Sequence, residues 1–442
     1  MRPGGVENRL RPLRSILPAS SIPSAGGRIS PRTDSDVSGV PNAEPSTRLG
    51  RIQDPHAAVR SSSLETSDSV SRLLPSQVAD EPYPVVRSLR PDGTIEPGFD
   101  PGLDPSEVLH LYRHLLLTRT LDERLVVLQR QGRIGFHVGS LGEEAAILGS
   151  TYGVAETDWI FPCYREFGSA LLRGLSLQKF IDNMFGNAND TVQGRQMPDH
   201  YTCREKCWGS ISSPVGTQIT QAVGFAWGAK IEGKNLATLA YFGDGATSTP
   251  DFHSGMNLAA VFKIPTIFFC RNNGWAISVP SDRQTATRTF AEKAAAYGMP
   301  GVRVDGNDLF AVILVTREAR ALAARGGGPT LIEALTYRMG GHSTSDDPDR
   351  YRGRDDLVPW AEKDPLGRVR RYLERHGVLT KRDEEQWITE IDNSFRRAVA
   401  TAESTPQPSL SSMFDDVYAN LPWHLVEQRV QLLEGPRAAK GH

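Results

Sequence analysis

The apolar positions of this chain change their spacing in a regular alternation. A helical spacing runs from residue 107 to 131 (EVLHLYRHLLLTRTLDERLVVLQRQ), opened by Asp104-Pro105-Ser106-Glu107 as N-cap, first-turn proline and reciprocal acid. After a glycine-rich turn, GEEAAILGS predicts a second helix and SALLRGLSLQKFIDNMF, residues 169–185, a third. GTQITQAVGFAWGAK is helical and rich in small residues, and the short apolar run LATLAYF that ends at Phe242 reads as a strand. The alternation then continues with the helix DFHSGMNLAAVFK, the strand TIFFC, the short strand GVRVDG, the helix LFAVILVTREARALAA and the strand TLIEALTY. Strands separated by helices require right-handed crossovers, so the predicted fold is α/β: a doubly wound, mostly parallel sheet covered on both faces, with helical extensions. Ligands of such sheets bind beyond the carboxyl ends of the strands.

Residues 1–85 lack this pattern. They are dominated by Arg, Ser, Pro and Gly, contain no lysine, and scatter their apolar residues too thinly to bury, so they are expected to form a disordered arm. The folded domain is expected over 100–402, followed by a C-terminal helical tail over 403–442. The first third of the arm is Arg-rich and acid-poor, like a mitochondrial transit peptide, but Pro3, Pro12, Pro18, Pro23 and Pro31 break the amphipathic helix such a peptide needs. No lysine precedes Lys179, a bias that places a bacterial cytoplasm ahead of a mitochondrial matrix as the address.

At 442 residues and 39% hydrophobic content the chain can bury a large core, and it has no apolar run long enough to span a bilayer. A formal net charge of -2 argues against a broad nucleic-acid surface. The four cysteines are too few for a disulfide scaffold, and Cys203 and Cys207 with His200 lack the second pair that structural zinc requires. GAKIEGKN, residues 228–235, approaches a phosphate-binding loop but ends in Asn and precedes its strand rather than following one. GxGxxG, GxSxG and HExxH are absent.

The chemistry therefore concentrates at two strand ends. Gly243-Asp244-Gly245 follows the first central strand at a turn whose small residues admit a phosphate, and Asn272-Asn273 follows the second. One carboxylate and one amide oxygen on neighbouring strand ends suit a hard cation such as Mg2+ shared with a bound phosphate.

The segment GDGATSTPDFHSGMNLAAVFKIPTIFFCRNNGWAIS resembles the thiamine diphosphate motif, and its surroundings resemble the α subunit of 2-oxo acid dehydrogenase E1 components, closest to the branched-chain form. Further matches are GEEAA, FPCYRE, GRQMPDHY, SISSPVGTQ, RVDGND, TYRMGGHSTSDDPDRYR and MFDDVYANLP, so only the arm lies outside the resemblance. The fold it implies is the diphosphate-binding domain of the thiamine diphosphate-binding fold. Carried over by position, it implies that Asp244, Asn273 and the carbonyl of Trp275 hold Mg2+, and that Tyr164, Arg165, Arg271 and His342 hold the diphosphate, with Gly245 and Ala246 opening the helix after the first strand and offering it their backbone N–H groups. It implies a K+ site from Ser212, Pro214, Thr217 and Gln218, with Ser213 facing the reacting centre and His342 as proton donor at a near-neutral pKa. Cys163 and His137 stand where they could reshape the pocket, and Ser343 matches a serine phosphorylated in eukaryotic relatives.

The implied activity is oxidative decarboxylation of a branched-chain 2-oxo acid such as 3-methyl-2-oxobutanoate, with acyl transfer to lipoyl-lysine of an E2 acyltransferase. After the arm there is room for one diphosphate-binding domain and not for its pyrimidine-binding twin, so a separate β subunit and an α2β2 heterotetramer are implied. Pyruvate or acetoin dehydrogenase α subunits, and a catalytically silent scaffold paralogue, are the alternatives.

Overall fold

A computed structural model describes residues 83–415 and 417–436. The arm expected over 1–85 lies outside the described residues except for its last three, and these join the fold. β1 (Val85–Val86) is the edge strand of a six-stranded sheet. The chain continues through α1 (Pro105–Arg130), α2 (Glu144–Gly153), β2 (Trp159–Phe161), α3 (Phe167–Leu172), α4 (Leu177–Phe185) and α5 (Thr217–Ile231). Then come β3 (Thr238–Gly243), α6 (Pro250–Val261), β4 (Thr266–Asn272), a small antiparallel hairpin of β5 (Trp275–Ala276) and β6 (Val279–Pro280), β7 (Gly301–Asp305), α7 (Leu309–Ala324) and β8 (Thr330–Leu335). Helices α8 (Val358–Ala361), α9 (Pro365–Arg375), α10 (Lys381–Ser404) and α11 (Trp423–Glu434) follow.

The strand order is β1-β7-β8-β4-β3-β2, and every pairing in this sheet is parallel. β3, β4 and β8 are buried along almost their whole length, which is why each reads in the sequence as a continuous apolar run rather than an alternation. Because these three strands are neighbours, their carboxyl ends deliver Asp244, Asn273 and the segment leading to His342 to one edge of the sheet.

Two expectations need correction. The single helix over 169–185 is broken into α3 and α4, because Gly174 adopts φ +92 and Ser176 then caps a fresh start by accepting from Lys179 N. Gly245 and Ala246 do not open an α-helix. Residues 244–248 form a 3-10 turn, and α6 begins only where Thr249 caps it ahead of Pro250. The short strands β1 and β2 carry too few residues to give a periodic signal.

Asp308 joins the edge of the sheet to the helical layer. Its Oδ1 accepts from Phe310 N and Ala311 N at the start of α7, and its Oδ2 accepts from Ser88 N at 2.6 Å and Leu89 N at 2.8 Å. On the same face, α2 packs against α7 through Gly149 and Gly153. A Cβ at Gly153 would sit 2.7 Å from Thr316 Cβ. Gly153→Ala is therefore expected to lower the thermal unfolding temperature, overpacking of about 1–3 kcal/mol outweighing a gain of about 1 kcal/mol in helix propensity. A raised unfolding temperature would show that the contact is not limiting.

Candidate active site

Arg271, the penultimate residue of β4, is buried at the carboxyl end of the sheet. Its Nη1 bonds Glu143 Oε2 and its Nη2 lies 2.5 Å from Glu166 Oε1, so both terminal nitrogens face carboxylates. Burial opposes the charge, but these two acids outweigh it and hold the guanidinium firmly protonated. Glu143 also accepts from Asn273 Nδ2 at 2.8 Å, which leaves Asn273 Oδ1 facing away, with Trp275 N at 3.2 Å as its one partner among the described residues. Glu143 and Glu166 were absent from the sequence reading. Their signal was the acid pair of GEEAA at the mouth of an apolar helix and the acid that closes FPCYRE.

Asp244 is 1% exposed, and burial pushes its carboxyl up to about 6. Ser281 Oγ donates to its Oδ2 at 3.2 Å, and among the described residues it forms no ion pair. A buried carboxylate so weakly matched suits a cation, as does an amide oxygen on the adjacent strand end. The Trp275 carbonyl takes only a 3.4 Å contact from Arg338 Nη1. Gly245 permits the close approach of this turn to the hairpin, since a Cβ there would lie 2.6 Å from that of Ala276.

Arg165 bridges two walls. Nη1 donates to the Gly139 carbonyl at 2.6 Å, and Nη2 donates to the His342 carbonyl at 2.8 Å and to its Nδ1 at 3.1 Å. A guanidinium can only donate, so Nδ1 is an acceptor and the ring hydrogen sits on Nε2. Burial, with Arg165 and Arg338 beside it, lowers the His342 pKa to about 4. This corrects the expectation of a near-neutral value: the ring is neutral and offers an N–H. Its loop is tied down by Asp346, which accepts from His342 N and from Tyr351 at 2.5 Å each, and by Arg352, which donates to the carbonyls of Arg338, Met339 and Gly340.

A cavity of about 410 Å3 gathers Tyr164, Arg165, Ser213, Asp244, Gly245, Ala246, Arg271, Asn273, Trp275 and His342 on one lining. Phe136, Val138, Val215 and Ile277 add apolar wall. Ser213 Oγ lies 2.5 Å from His200 Nε2, a partner that sequence reasoning had weighed only for zinc. Cys163 also lines the cavity, but burial pushes its thiol up to about 12, so it is a neutral wall group. His137 is not on this lining.

Ser212, Pro214, Thr217 and Gln218 gather a short distance away. Thr217 Oγ1 donates to Ser212 Oγ at 2.9 Å and to the Pro214 carbonyl at 3.1 Å. Gln218 Nε2 donates to Tyr241 O at 2.8 Å, while its buried Oε1 has no hydrogen-bond partner.

Two outcomes are expected. Glu143→Ala leaves Arg271 half-compensated and should cost roughly 3–5 kcal/mol in chemical denaturation, against a smaller loss for Glu143→Gln. His342 binds its proton less readily folded than unfolded, so the folded state loses stability as pH falls from 6.5 towards 4. His342→Gln should flatten that fall, and an unchanged profile would assign it to other groups.

Residues 112–411 match the family described as Dehydrogenase E1 component. The chain is 41% identical over 372 residues to the mitochondrial 2-oxoisovalerate dehydrogenase subunit alpha of Mus musculus, covering 84% of each chain. The Homo sapiens protein of the same name is 41% identical over 372 residues, 84% of this chain and 83% of its own. Subunit alpha 1 of Arabidopsis thaliana is 40% identical over 354 residues, 79% and 75% of the two chains. With the match running through every strand end that lines the cavity, the chain belongs to the dehydrogenase E1 component family.

Proposed function

We propose that this chain is the α subunit of a branched-chain 2-oxo acid dehydrogenase E1. It would take part in oxidative decarboxylation of acids such as 3-methyl-2-oxobutanoate and pass the acyl group to lipoyl-lysine of an E2 acyltransferase. The observation that carries this reading is the convergence of Asp244, Asn273, Arg165, Arg271 and His342 on one buried cavity, in a chain whose relatives are named for 2-oxoisovalerate. The apolar walls Phe136, Val138, Val215 and Ile277 favour a branched aliphatic side chain over a methyl group, because each further buried CH2 contributes about 0.8 kcal/mol.

Thiamine diphosphate, which the family implies, supplies when bound a thiazolium carbon that adds to the 2-oxo group and accepts the electrons released with CO2. Asp244 and Asn273 would hold Mg2+ with the Trp275 carbonyl, and the ion would offset the burial that raises the Asp244 carboxyl. Arg165 and Arg271 set a positive potential at the diphosphate end. The Arg271 charge is already met by Glu143 and Glu166, so Arg165, Tyr164 and the backbone of Gly245 and Ala246 would make the contacts to the diphosphate. His342 presents a neutral Nε2–H, able to donate a hydrogen bond to the diphosphate or to oxygen on the substrate. An anion placed beside it would raise its pKa towards the catalytic range. Ser213, held by His200, would lie at the reacting centre. The unpartnered Gln218 Oε1 supports K+ binding with Ser212, Pro214 and Thr217.

The described residues would supply the diphosphate end, and the reading calls for a β subunit at the ring end, in an α2β2 heterotetramer. Ser343 follows His342, whose carbonyl Arg165 holds, and is a position where an added phosphate would repel the cofactor. The relatives named above are mitochondrial, whereas the lysine-poor N-terminal composition supports a bacterial cytoplasm.

Reconstitution with the β partner, thiamine diphosphate and Mg2+ tests the assignment. Catalytic efficiency with 3-methyl-2-oxobutanoate should exceed that with pyruvate by at least about tenfold, roughly 1.4 kcal/mol of transition-state binding. The α chain alone should be inactive. A preference for pyruvate would overturn the branched-chain reading, and activity without β would overturn the two-subunit reading.

A further inference from the structure

His137 is completely buried and stands outside the cavity, yet three segments that contribute to the cavity wall meet at it, together with α1. Its Nε2 is 2.9 Å from Asp122 Oδ1 on α1, and its Nδ1 is 3.1 Å from Asp199 Oδ2. Ionised carboxylates only accept, so a ring that faces one on each side carries hydrogen on both nitrogens and is an imidazolium. The acids complete the clamp through the backbone: Asp122 Oδ2 accepts from Ser140 N and Asp199 Oδ2 from Val138 N, each at 2.7 Å.

Each arm of this cluster ends at a functional group. The loop between α1 and α2 carries Phe136 and Val138 on the cavity lining, the Gly139 carbonyl that holds Arg165, and Glu143. Asp199, in the left-handed region at φ +64, immediately precedes His200, the partner of Ser213. The backbone of His137 exchanges hydrogen bonds with Thr344, which follows His342 by two residues: His137 N donates to Thr344 Oγ1 at 3.1 Å, and Thr344 N donates to His137 O at 3.0 Å. A side chain at Gly139 would collide with Asp122, so the loop has one way to pass the acid.

We propose that His137 is a positioning residue whose buried positive charge, rather than its shape, fixes the cavity wall that receives the cofactor diphosphate and the substrate. Burial opposes the charge, but Asp199 and Asp122 overcome it and push the ring up to about 10, so the clamp stays charged throughout the working pH range. Its effect on cofactor binding rests on the reading of the cavity as a thiamine diphosphate site.

The test uses the α subunit assembled with its β partner and titrated with thiamine diphosphate and Mg2+. His137→Gln keeps polar contacts but leaves two carboxylates facing each other without a cation, and should weaken cofactor affinity at least about tenfold, a difference of about 1.4 kcal/mol. At saturating cofactor the substrate KM should change less than about twofold, since the wall refills once the cofactor is in place. Adding Asp199→Asn to His137→Gln removes the repulsion and should bring cofactor affinity back to within about threefold of the wild type. Wild-type affinity in the single variant, or a double variant no better than the single, overturns the proposal. If the single variant fails to assemble, the double variant decides alone, by assembling with near wild-type affinity or not. A wild-type complex that binds no thiamine diphosphate refutes the reading of the cavity instead. The charge is then tested by 15N NMR of the histidine-labelled complex, where the resonances missing from His137→Gln should show two ring N–H groups at pH 8.5, and a neutral ring overturns the proposal.

Discussion

Arg271 lies at the end of a central strand, sealed from water, so its charge has to be met by acids supplied from elsewhere in the chain. Glu143 comes from the loop before α2 and Glu166 from the turn after β2, and the two pair with it as a buried triad. Desolvating such ions costs several kcal/mol each, which only close pairing offsets. The arrangement is therefore rigid, and the rigidity is passed on. Glu143 orients the Asn273 amide, and Asn273 Oδ1 is thereby turned away from the acid. The orientation of the amide at one strand end thus depends on an acid more than a hundred residues earlier.

The same logic of acceptor and donor governs the opposite wall. Arg165 fixes the tautomer of His342, and His200 engages the hydroxyl of Ser213. Each ring is pinned by a neighbour with a fixed hydrogen-bonding role. Apolar residues line the cavity beside them.

Much of this could be read from the chain alone. The long buried strands β3, β4 and β8 announce themselves as apolar runs with glycine and asparagine at their ends, and the turns bearing Asp244 and Asn273 follow from them. α7 was legible over its full span, because its apolar spacing and its Asp308 cap agree. Elements of two or three residues such as β1 and β2 were not, since a period cannot show in so short a run. The site divides in the same way. The residues named from the motifs share one cavity lining, whereas Glu143 and Glu166 act through Arg271, over a hundred residues away, and no local spacing encodes a pairing of that kind. The pKa of His342 was misjudged for the same reason: its position in a polar, glycine-rich loop suggested solvent, and two arginines and burial decided otherwise.

The attachment of β1 has a consequence for how the chain is made. Ser88 and Leu89 dock onto the Asp308 carboxylate across a separation of 220 and 219 residues, and β1 pairs only with β7. During synthesis at about 5–20 residues per second, the N-terminal strand therefore waits roughly 10–40 s after it emerges before its acceptor exists. This edge of the sheet is the first part of the described domain to leave the ribosome, yet it cannot pair until β7 and Asp308 have followed.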